Sequence, residues 1–362
     1  MNILYTLPDL HFGGTSNLLY QNIENLAKVH KVYLIYFGPN TLMEKNFIEK
    51  GIMPLRIPYN GAKDLLKTVR SIRKFIKINN IDIIHTNLFL DKALITFATL
   101  GSRSIKKVST IHSADNNKAD VYLKNKLKND FENIIDKYFM DKIIAVSETA
   151  KRFSIDNRGI PEKKITVIYN GIQALQVAPY NNNNNKIVFG TACRFHSIKG
   201  LPRLLKTIFI LKEKGLKIKL ILIGDGGQRS YLEKVIENLQ IDNDVEITGF
   251  TDDVPFYLSG IDYYVNSSYS EAMPISVLEA LSIGLPVIAS DVGGLKEIVK
   301  NNYNGLRVDF NNLEKTADEI FEFLNNGKTD YWILKKNSVS TFESKFSSGI
   351  YLKNLNALYE NL

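Results

Sequence analysis

Residues 270–280, SEAMPISVLEA, place two glutamates eight positions apart with a proline between them. Pro274 is a residue type that favours the first turn of a helix, so we predict a helix over residues 275–283. Glu279 then lies about one turn into this helix, and Glu271 lies just before it. The free N–H groups and positive dipole of a helix start suit a diphosphate, and the two carboxylates suit hydroxyl groups.

Cations and glycines on both sides of this stretch strengthen the prediction of an anion site. Arg194 and Lys199 follow a predicted strand and precede a predicted helix, where two cations suit a pyrophosphate. Residues 224–227, GDGG, close the next strand, which is where open α/β sheets place their ligands. They lack the glycine spacing of a dinucleotide-binding loop. Residues 284–294, GLPVIASDVGG, complete the set.

Short apolar runs alternate with helix-length segments along the chain, which predicts parallel sheets covered by helices. In the first half we predict strands at residues 2–6, 32–37, 82–85, 107–111, 142–146 and 165–168, and helices at 15–27, 63–78, 91–100, 122–138 and 147–155. In the second half we predict strands at residues 186–190, 220–223, 245–248, 262–266 and 286–289, and helices at 201–214, 228–239, 275–283, 313–324 and 347–362. Five asparagines at residues 181–185 predict a linker between two Rossmann-like halves.

The composition excludes several classes of protein. A length of 362 residues suggests about two domains, and 44% hydrophobic with 23% charged residues is typical of a globular protein. The single cysteine, Cys193, excludes an internal disulfide and a cysteine-based zinc site. The longest apolar run, residues 93–100, is too short to span a membrane, and residues 1–5 predict a strand rather than a secretion signal. We therefore expect a cytoplasmic protein.

The net charge of +8 is concentrated in the first half of the chain. Residues 1–180 carry 26 Lys and Arg against 16 Asp and Glu, whereas residues 181–362 carry 20 against 22. The first half is therefore +10 and the second −2, which predicts an anionic surface as a partner of the first half. Residues 63–80 contain six cations, namely Lys63, Lys67, Arg70, Arg73, Lys74 and Lys77. This segment is either a packed helix with a solvated outer face or a face that rests on anionic lipid. No nucleic-acid-binding motif accompanies the charge, so we expect no nucleic acid partner.

From about residue 187 to residue 308, the motifs and their order resemble the donor domain of the family-four, retaining glycosyltransferases of the GT-B fold. The first half resembles the family more loosely, in residues 12–15 (FGGT), 108–112 (VSTIH), 143–148 (IIAVSE) and 167–171 (VIYNG). The resemblance implies an α/β protein with two Rossmann-like domains facing across a cleft. Residues 1–180 would bind the acceptor, residues 181–345 the nucleotide-sugar donor, and a helix at 346–362 would return toward the first domain.

The resemblance also implies roles for individual residues. Arg194 and Lys199 would hold the donor diphosphate, Glu271 would bond donor-sugar hydroxyls, and Glu279 would bond the ribose. The implied catalytic set is His112, Arg194, Lys199 and Glu271. The implied donor-binding set is Gly13, Gly14, Arg194, Lys199, Gly224, Phe250, Glu271, Ala272, Met273, Pro274, Ile275 and Glu279. The acceptor-binding set is Gly14, Thr15 and His85. The chain departs from the family at two positions, since Ala272 replaces the usual glycine and Gln173 replaces a frequent aspartate.

Several of these features also have an ordinary structural reading, and the sequence leaves both readings open. Gly13 and Gly14 could form a plain tight turn that opens a helix, and His85 and His112 could be buried core histidines. Asp252–Asp253 could supply a helix N-cap rather than a metal pair, and Cys193 could be an inert core thiol.

The function that these expectations describe is glycosyl transfer without a metal or cofactor. The donor would be a nucleoside diphosphate sugar, with UDP favoured over GDP, and closure of the two domains about residues 181–185 would exclude water. The acceptor would be a saccharide or a polyprenyl-pyrophosphate-linked saccharide in capsule, lipopolysaccharide or other cell-surface polysaccharide assembly. Two alternatives are a GT-B-like UDP-sugar epimerase, and a non-catalytic protein that binds an anionic membrane surface.

Overall fold

The computed structural model describes residues 1–102, 104–112, 122–177, 186–325 and 330–362. These residues form two compact units. Unit 1 comprises Met1–Gln173 and Ser348–Leu362, and unit 2 comprises Ala174–Ser347. The sequence predicted the change of domain near residue 180, and the structure divides the chain after Gln173. The predicted linker at residues 181–185 lies outside the described residues.

Unit 1 contains a seven-stranded parallel sheet with helices between the strands. The strands are β1 (Asn2–Leu7), β2 (Lys31–Tyr36), β3 (Pro54–Arg56), β4 (Ile83–Thr86), β5 (Lys106–Ile111), β6 (Lys142–Ala145) and β7 (Ile165–Val167). The helices are α1 (Gly14–Ala27), α2 (Glu44–Glu49), α3 (Leu65–Ile78), α4 (Phe89–Ala98), α5 (Tyr122–Tyr138) and α6 (Glu148–Asp156). The strand order is β3-β2-β1-β4-β5-β6-β7, so the order reverses between β1 and β4.

Unit 2 contains a six-stranded parallel sheet of the same kind. The strands are β8 (Ile187–Ala192), β9 (Ile218–Ile223), β10 (Val245–Gly249), β11 (Tyr263–Asn266), β12 (Val287–Ser290) and β13 (Gly305–Val308). The helices are α7 (Leu201–Glu213), α8 (Arg229–Asn238), α9 (Val254–Ser259), α10 (Ile275–Ser282), α11 (Leu295–Ile298), α12 (Leu313–Asn325) and α13 (Tyr331–Lys345). The strand order is β10-β9-β8-β11-β12-β13, with the reversal between β8 and β11.

The predicted strands of both halves are present, and those inside the sheets have apolar runs buried on both faces, as parallel strands require. Residues 3–7 of β1, for example, are all buried. The sequence missed β3 and β13, each of which forms one edge of its sheet. β3 has three residues and begins with Pro54, and β13 has four and contains Arg307, so neither shows a continuous apolar run. Helix α13 was missed because its buried positions include a small polar side chain, Ser338, which interrupts the apolar spacing.

The last helix, α14 (Ser348–Glu360), belongs to unit 1, as expected. The N–H of Ser348 donates to the carbonyl oxygen of Ile172 over 2.7 Å, and its hydroxyl lies 2.6 Å from Oδ1 of Asn22. Leu355 and Tyr359 are buried in the core that also contains the residues of β1. The helix therefore completes the hydrophobic core of unit 1.

Unit 1 also contains a buried ion cluster. Lys92 on α4 is 1% exposed, and its Nζ lies 2.9 Å from Oε1 of Glu132 and 2.8 Å from Oδ1 of Asp136. Arg158 lies 2.6 Å from the other oxygen of Asp136. Burial alone lowers the pKa of Lys92, but Asp136 and Glu132 outweigh it and raise the pKa above its ordinary value. The ammonium group is therefore charged in the folded protein and links α4 to α5.

We predict that Lys92→Met lowers the free energy of unfolding by about 3–5 kcal/mol, because it removes the buried cation that Glu132 and Asp136 share and leaves Arg158 alone to neutralise both. Urea denaturation measures the change. The matched control is Lys151→Met, which removes a surface ion pair with Glu162 in the same unit and is expected to change the free energy of unfolding far less. An equal effect of the two substitutions would contradict a structural role for the buried cluster.

Candidate active site

A lysine–glutamate pair lies at the carboxyl edge of the unit 2 sheet. Lys199 ends a short 3₁₀ turn after β8, and its Nζ lies 2.7 Å from Oε1 of Glu271. The hydroxyl of Ser268 donates to the same oxygen over 2.7 Å. Within the part of the chain that the structure describes, Oε2 of Glu271 has no hydrogen-bond partner. The pair can therefore offer a carboxylate oxygen to a hydroxyl group and two ammonium hydrogens to an anion.

Two glycines, Gly293 and Gly294, pack against the backbone of Glu271. Gly293 has a φ of +49°, and a Cβ at this position would lie 1.9 Å from the carbonyl oxygen of Glu271. The N–H of Gly294 donates to that oxygen over 2.9 Å. Any side chain at residue 293 would displace the Glu271 backbone. The final glycines of the stretch 284–294 therefore set the position of the glutamate.

A buried arginine, which the sequence analysis did not identify, fixes the loop that supports this pair. Nε of Arg203 donates to the carbonyl oxygen of Ser267 over 2.7 Å, and Nη2 donates to that of Ser268 over 2.6 Å. The guanidinium lies 3.8 Å from the centre of the Tyr269 ring. The hydroxyl of Ser267 in turn donates to the carbonyl oxygen of Lys199 over 3.0 Å. One loop thus holds both the lysine and the glutamate.

Helix α10 starts at Ile275, four residues after Glu271 and where the sequence predicted it. Pro274 precedes the helix without making a side-chain cap, and the first turn contains no acidic residue. Ala272 and Met273 are buried, and the hydroxyl of Tyr264 donates to Oγ of Ser276 over 2.8 Å. The first N–H groups of the helix are therefore held in place and lack a competing carboxylate. Glu279 lies on the same helix and is half-buried.

Three more predicted donor residues follow the ends of neighbouring strands. Arg194 comes shortly after β8 and is exposed, Gly224 follows β9, and Phe250 follows β10 with 63% of its surface exposed. Gly224 has a φ of +132°, and a Cβ there would lie 2.1 Å from the carbonyl oxygen of Cys193. Because carboxyl ends of parallel strands meet at one edge of a sheet, all three residues lie at the same edge as Lys199.

One ordinary reading of the sequence is confirmed in unit 2, and a second concerns the half-buried Cys193. Asp253 caps helix α9, since its Oδ1 accepts a hydrogen bond from the N–H of Phe256 over 3.2 Å. Burial raises the pKa of the Cys193 thiol to about 12, although the nearby Lys199 acts in the opposite direction. A thiol in this state is a poor nucleophile. Over the described ranges, no group of three or more His, Cys, Asp or Glu side chains is arranged to hold a metal ion.

In unit 1, the predicted glycine loop is the start of helix α1. Gly13 is its N-cap residue, and Gly14 and Thr15 form its first turn. Gly14 is exposed and Thr15 is half-buried, so both are accessible at the carboxyl end of β1. Gly13 and Gly14 thus form the turn that opens α1, and this position also leaves them accessible to a ligand.

The two histidines that end predicted strands have different environments. His85 is 1% exposed, and its ring nitrogens lie 2.5 Å from the hydroxyl of Tyr359 and 2.6 Å from that of Thr110. His85 is thus a core residue, and its assignment to the acceptor-binding set is wrong because no face of its ring is open. His112 is half-buried, with Nε2 3.3 Å from Oδ1 of Asn87. Burial lowers the pKa of His112 to about 4, so its imidazole is neutral near pH 7.

We predict that His85 makes the stability of unit 1 sensitive to acid. Burial lowers the pKa of His85 to about 3, with His112 adding to the effect, whereas an unfolded histidine titrates near about 6.5. The stability that the neutral ring contributes is therefore present above about pH 6.5 and is lost as the pH falls toward 3. Between pH 6.5 and 5 the loss is about 2 kcal/mol, and His85→Gln should remove that part of the pH dependence of urea unfolding.

Asp91→Asn provides a control of opposite sign. Burial raises the pKa of Asp91 to about 6, although hydrogen bonds from Asn87, Thr6 and Leu88 oppose the shift. The folded chain then binds a proton between about pH 6 and 4 that the unfolded chain does not bind, which stabilises it on acidification. Asp91→Asn should therefore make the free energy of unfolding fall more steeply as the pH is lowered. If His85→Gln and the wild type show the same pH dependence, the assignment to His85 is wrong.

Two family models match the chain, and together they span residues 12–337. The model described as "Glycosyltransferase Family 4" matches residues 12–174, and the model described as "Glycosyl transferases group 1" matches residues 173–337. The boundary between the two models agrees with the division of the structure after Gln173.

Individual proteins show the same similarity. An uncharacterised glycosyltransferase of Methanocaldococcus jannaschii is 26% identical over 98% of this chain and 97% of its own length. The capsular polysaccharide biosynthesis glycosyltransferase CapM of Staphylococcus aureus is 28% identical over 61% of this chain and 64% of its own. The crystal structure of Anabaena HepE in complex with UDP-glucose has a TM-score of 0.87 at 19% identity and covers all of both chains, so it shows the fold. With both halves matched in order and two Rossmann-like units present, this chain belongs to the family-four glycosyltransferases and has the GT-B fold.

Proposed function

We propose that this glycosyltransferase moves a sugar from a nucleoside diphosphate sugar, with UDP as the nucleotide, to a hydroxyl group of a saccharide or lipid-linked saccharide. The observation that carries the proposal is the Lys199–Glu271 pair immediately before the start of α10. The choice of UDP is supported by HepE, whose structures contain UDP and UDP-glucose. The assignment to cell-surface polysaccharide assembly is supported by CapM, which is named for capsular polysaccharide biosynthesis.

Positive charge at the carboxyl edge of unit 2 supports binding of the diphosphate. Lys199 uses one of its three ammonium hydrogens for Glu271, which leaves two for phosphate oxygens. Arg194 supplies a second cation, and the first N–H groups of α10 supply hydrogen-bond donors and a positive dipole. These groups would stabilise the charge that develops on the leaving diphosphate, so we propose that the reaction needs no metal ion.

The two glutamates support recognition of hydroxyl groups on the donor. Oε1 of Glu271 is occupied by two donors, and Oε2 would accept a hydrogen bond from the transferred sugar. Glu279, one turn into α10, would accept from the ribose. Ala272, in the position of a frequent family glycine, adds a methyl group beside this sugar site. The donor sugar is therefore expected to be one that tolerates the smaller space.

We propose that the anomeric configuration of the sugar is retained. In this reaction the bond between the anomeric carbon and the diphosphate oxygen breaks, and the acceptor oxygen bonds to the same face of that carbon. The proton of the acceptor hydroxyl passes to the departing diphosphate oxygen. Because Glu271 is anchored by Lys199 and Ser268, it serves to bind the sugar rather than to attack it. His112, neutral near pH 7, would contact the donor sugar as a hydrogen-bond partner.

We predict that Glu271→Ala lowers kcat of sugar transfer by about 10²–10³-fold, the usual loss for one electrostatic contact made in the transition state. Its affinity for UDP alone, measured by calorimetry, should change little, because UDP lacks the sugar. Lys199→Ala should lower both the rate and the affinity for UDP. The control is Lys206→Ala, an exposed lysine on α7. Transfer at the wild-type rate by both site variants would disprove the assignment.

A screen of nucleotide sugars tests the function itself. Release of UDP or GDP and thermal shifts are measured for a panel of UDP- and GDP-sugars, with and without saccharide acceptors. Turnover that needs an acceptor supports transfer. An isomerised sugar nucleotide formed from donor alone would instead indicate an epimerase. No nucleotide binding, together with persistent membrane binding, would indicate a non-catalytic membrane-surface protein.

We further propose that unit 1 rests on an anionic membrane from the cytoplasmic side, where a lipid-linked acceptor would be found. The inner face of α3 is packed through Val69, Ile72 and Ile76, whereas its five cations and Lys63, just before the helix, are exposed. Leu66 is 69% exposed among these cations. No helix within the described residues is long and apolar enough to cross a membrane. The exposed face supports a peripheral contact.

We predict that wild-type protein binds vesicles containing anionic lipid and that added salt weakens the binding, because each surface cation contributes about 1 kcal/mol. The triple variant Lys67→Gln, Arg70→Gln, Lys74→Gln should lose most of this binding in a sedimentation assay. The matched control changes three exposed lysines of unit 2, Lys206, Lys234 and Lys336, to glutamine. Binding that is indifferent to salt, or equal in the two triple variants, would contradict the membrane proposal.

A further inference from the structure

Unit 1 contains an aspartate–histidine pair that lies outside the proposed donor site. Asp9 and His11 lie in the loop between β1 and α1. Nδ1 of His11 bonds Oδ1 of Asp9, and the backbone N–H of His11 donates to the same oxygen over 3.3 Å. The two side chains are 35% and 31% exposed for His11 and Asp9, so a ligand can reach them.

Two glycines make room for this pair. Gly13 has a φ of −165°, an extended conformation that any residue adopts, yet a Cβ there would lie 2.9 Å from Nε2 of His11. A Cβ at Gly38 would lie 2.9 Å from Cβ of Asp9 and 3.0 Å from the carbonyl oxygen of Pro8. Gly38 also lacks a positive φ. A side chain at residue 38 would collide with the Pro8 backbone and with Cβ of Asp9, and one at residue 13 would displace the His11 ring, so the two glycines leave the space that the pair occupies.

The backbone on both sides of the pair is anchored. The carbonyl oxygen of Pro8 accepts hydrogen bonds from the N–H of Gly38 over 2.6 Å and from that of Phe37 over 3.2 Å. The N–H of Leu10 donates to Asn40 over 3.0 Å, and its carbonyl oxygen accepts from Met43 over 2.9 Å. The side chain of Leu10 is buried. The pair is thus held in one position before any ligand binds.

The pair also lies where a sheet of this type binds ligands. It follows the carboxyl end of β1, and the strand order reverses between β1 and β4. Ligands of open α/β sheets bind outside the carboxyl ends of the strands at such a reversal. Asn87 and His112, which follow β4 and β5, lie at the same edge. Two independent features, a preorganised pair and its location, therefore point to a binding function.

We propose that Nε2 of His11 binds a hydroxyl group of the saccharide acceptor, an inference that rests on the proposed glycosyl transfer. Asp9 accepts the hydrogen of Nδ1, which leaves the lone pair of Nε2 to accept a hydrogen bond. His11 orients the hydroxyl and takes no proton from it, and Asp9 is a positioning residue that selects the tautomer. A protonated ring, with hydrogen on both nitrogens, would instead suit a phosphate oxygen.

The tautomer and its ligand are measured by ¹⁵N NMR of the imidazole rings in the full-length wild-type protein, with His11→Gln used to assign the signals. We expect hydrogen on Nδ1 and a bare Nε2 at pH 7.5. The Nε2 signal should shift when n-octyl glucoside, galactoside or N-acetylglucosaminide is added in the presence of UDP. Hydrogen on Nε2, a response to inorganic pyrophosphate instead, or no response to any of the glycosides would overturn the proposal.

Kinetics of variants separate a role at the acceptor from a structural role. His11→Ala should lower kcat/KM for the glycoside acceptor by about tenfold, the value of one hydrogen bond, with KM for the donor unchanged. His11→Gln, which retains polar atoms near the Nε2 position, should recover part of the loss. Asp9→Asn should act mainly through KM for the acceptor and should shift the tautomer seen by NMR. An unchanged kcat/KM for the acceptor in His11→Ala would overturn the proposal.

A histidine at the opposite end of the sheet provides the matched control. His30 precedes β2, is 8% exposed and lies 3.1 Å from Asn356, so His30→Gln should leave kinetics for the acceptor unchanged. Hydrolysis of the donor in water is measured for every variant. Wild-type protein that releases no nucleotide from any donor would disprove the proposed function, whereas normal hydrolysis with unaltered acceptor kinetics would disprove only the role of His11.

Discussion

The bonds from the Arg203 guanidinium to the carbonyl oxygens of Ser267 and Ser268 are the interaction on which the unit 2 site depends. The hydroxyl of Ser267 hydrogen-bonds the backbone of Lys199, and the hydroxyl of Ser268 hydrogen-bonds the carboxylate of Glu271. The arginine therefore positions both residues. A planar guanidinium that bonds two groups at once fixes angles as well as distances. The site charges are therefore oriented by the fold, which is the condition for electrostatic stabilisation without reorganisation during the reaction.

The local elements of unit 2 could be predicted because residues 270–280 and the strands have recognisable patterns among residues close together in the sequence. A proline followed by apolar residues starts α10 where it was expected. Arg203 could not be identified in this way, because an arginine on a helix usually faces solvent. In the structure, Arg203, Thr207 and Leu211, which are spaced four apart, are all buried on α7. That spacing puts a cation on the inner face of the helix, where it needs partners.

In unit 1, the limit of prediction was long-range packing. His85 and His112 have the same sequence setting, at the end of an apolar strand, and their environments differ because Tyr359 of α14 bonds only His85. No local pattern connects residues 85 and 359. The glycine loop shows a related limit, since its sequence indicates a turn but not that Gly13 and Gly38 leave space for His11 and Asp9. Both units thus place functional groups on loops whose shape is set by distant residues.

The most direct test of this account compares Arg203→Met with Lys206→Met, an exposed neighbour on the same helix. Calorimetry measures the affinity of each variant for UDP and for the UDP-sugar that the enzyme turns over, after thermal unfolding confirms that both variants are folded. The account predicts that Arg203→Met lowers the affinity for the UDP-sugar about tenfold more than the affinity for UDP, and that Lys206→Met changes neither. Equal affinities for both ligands in Arg203→Met and the wild type would contradict it.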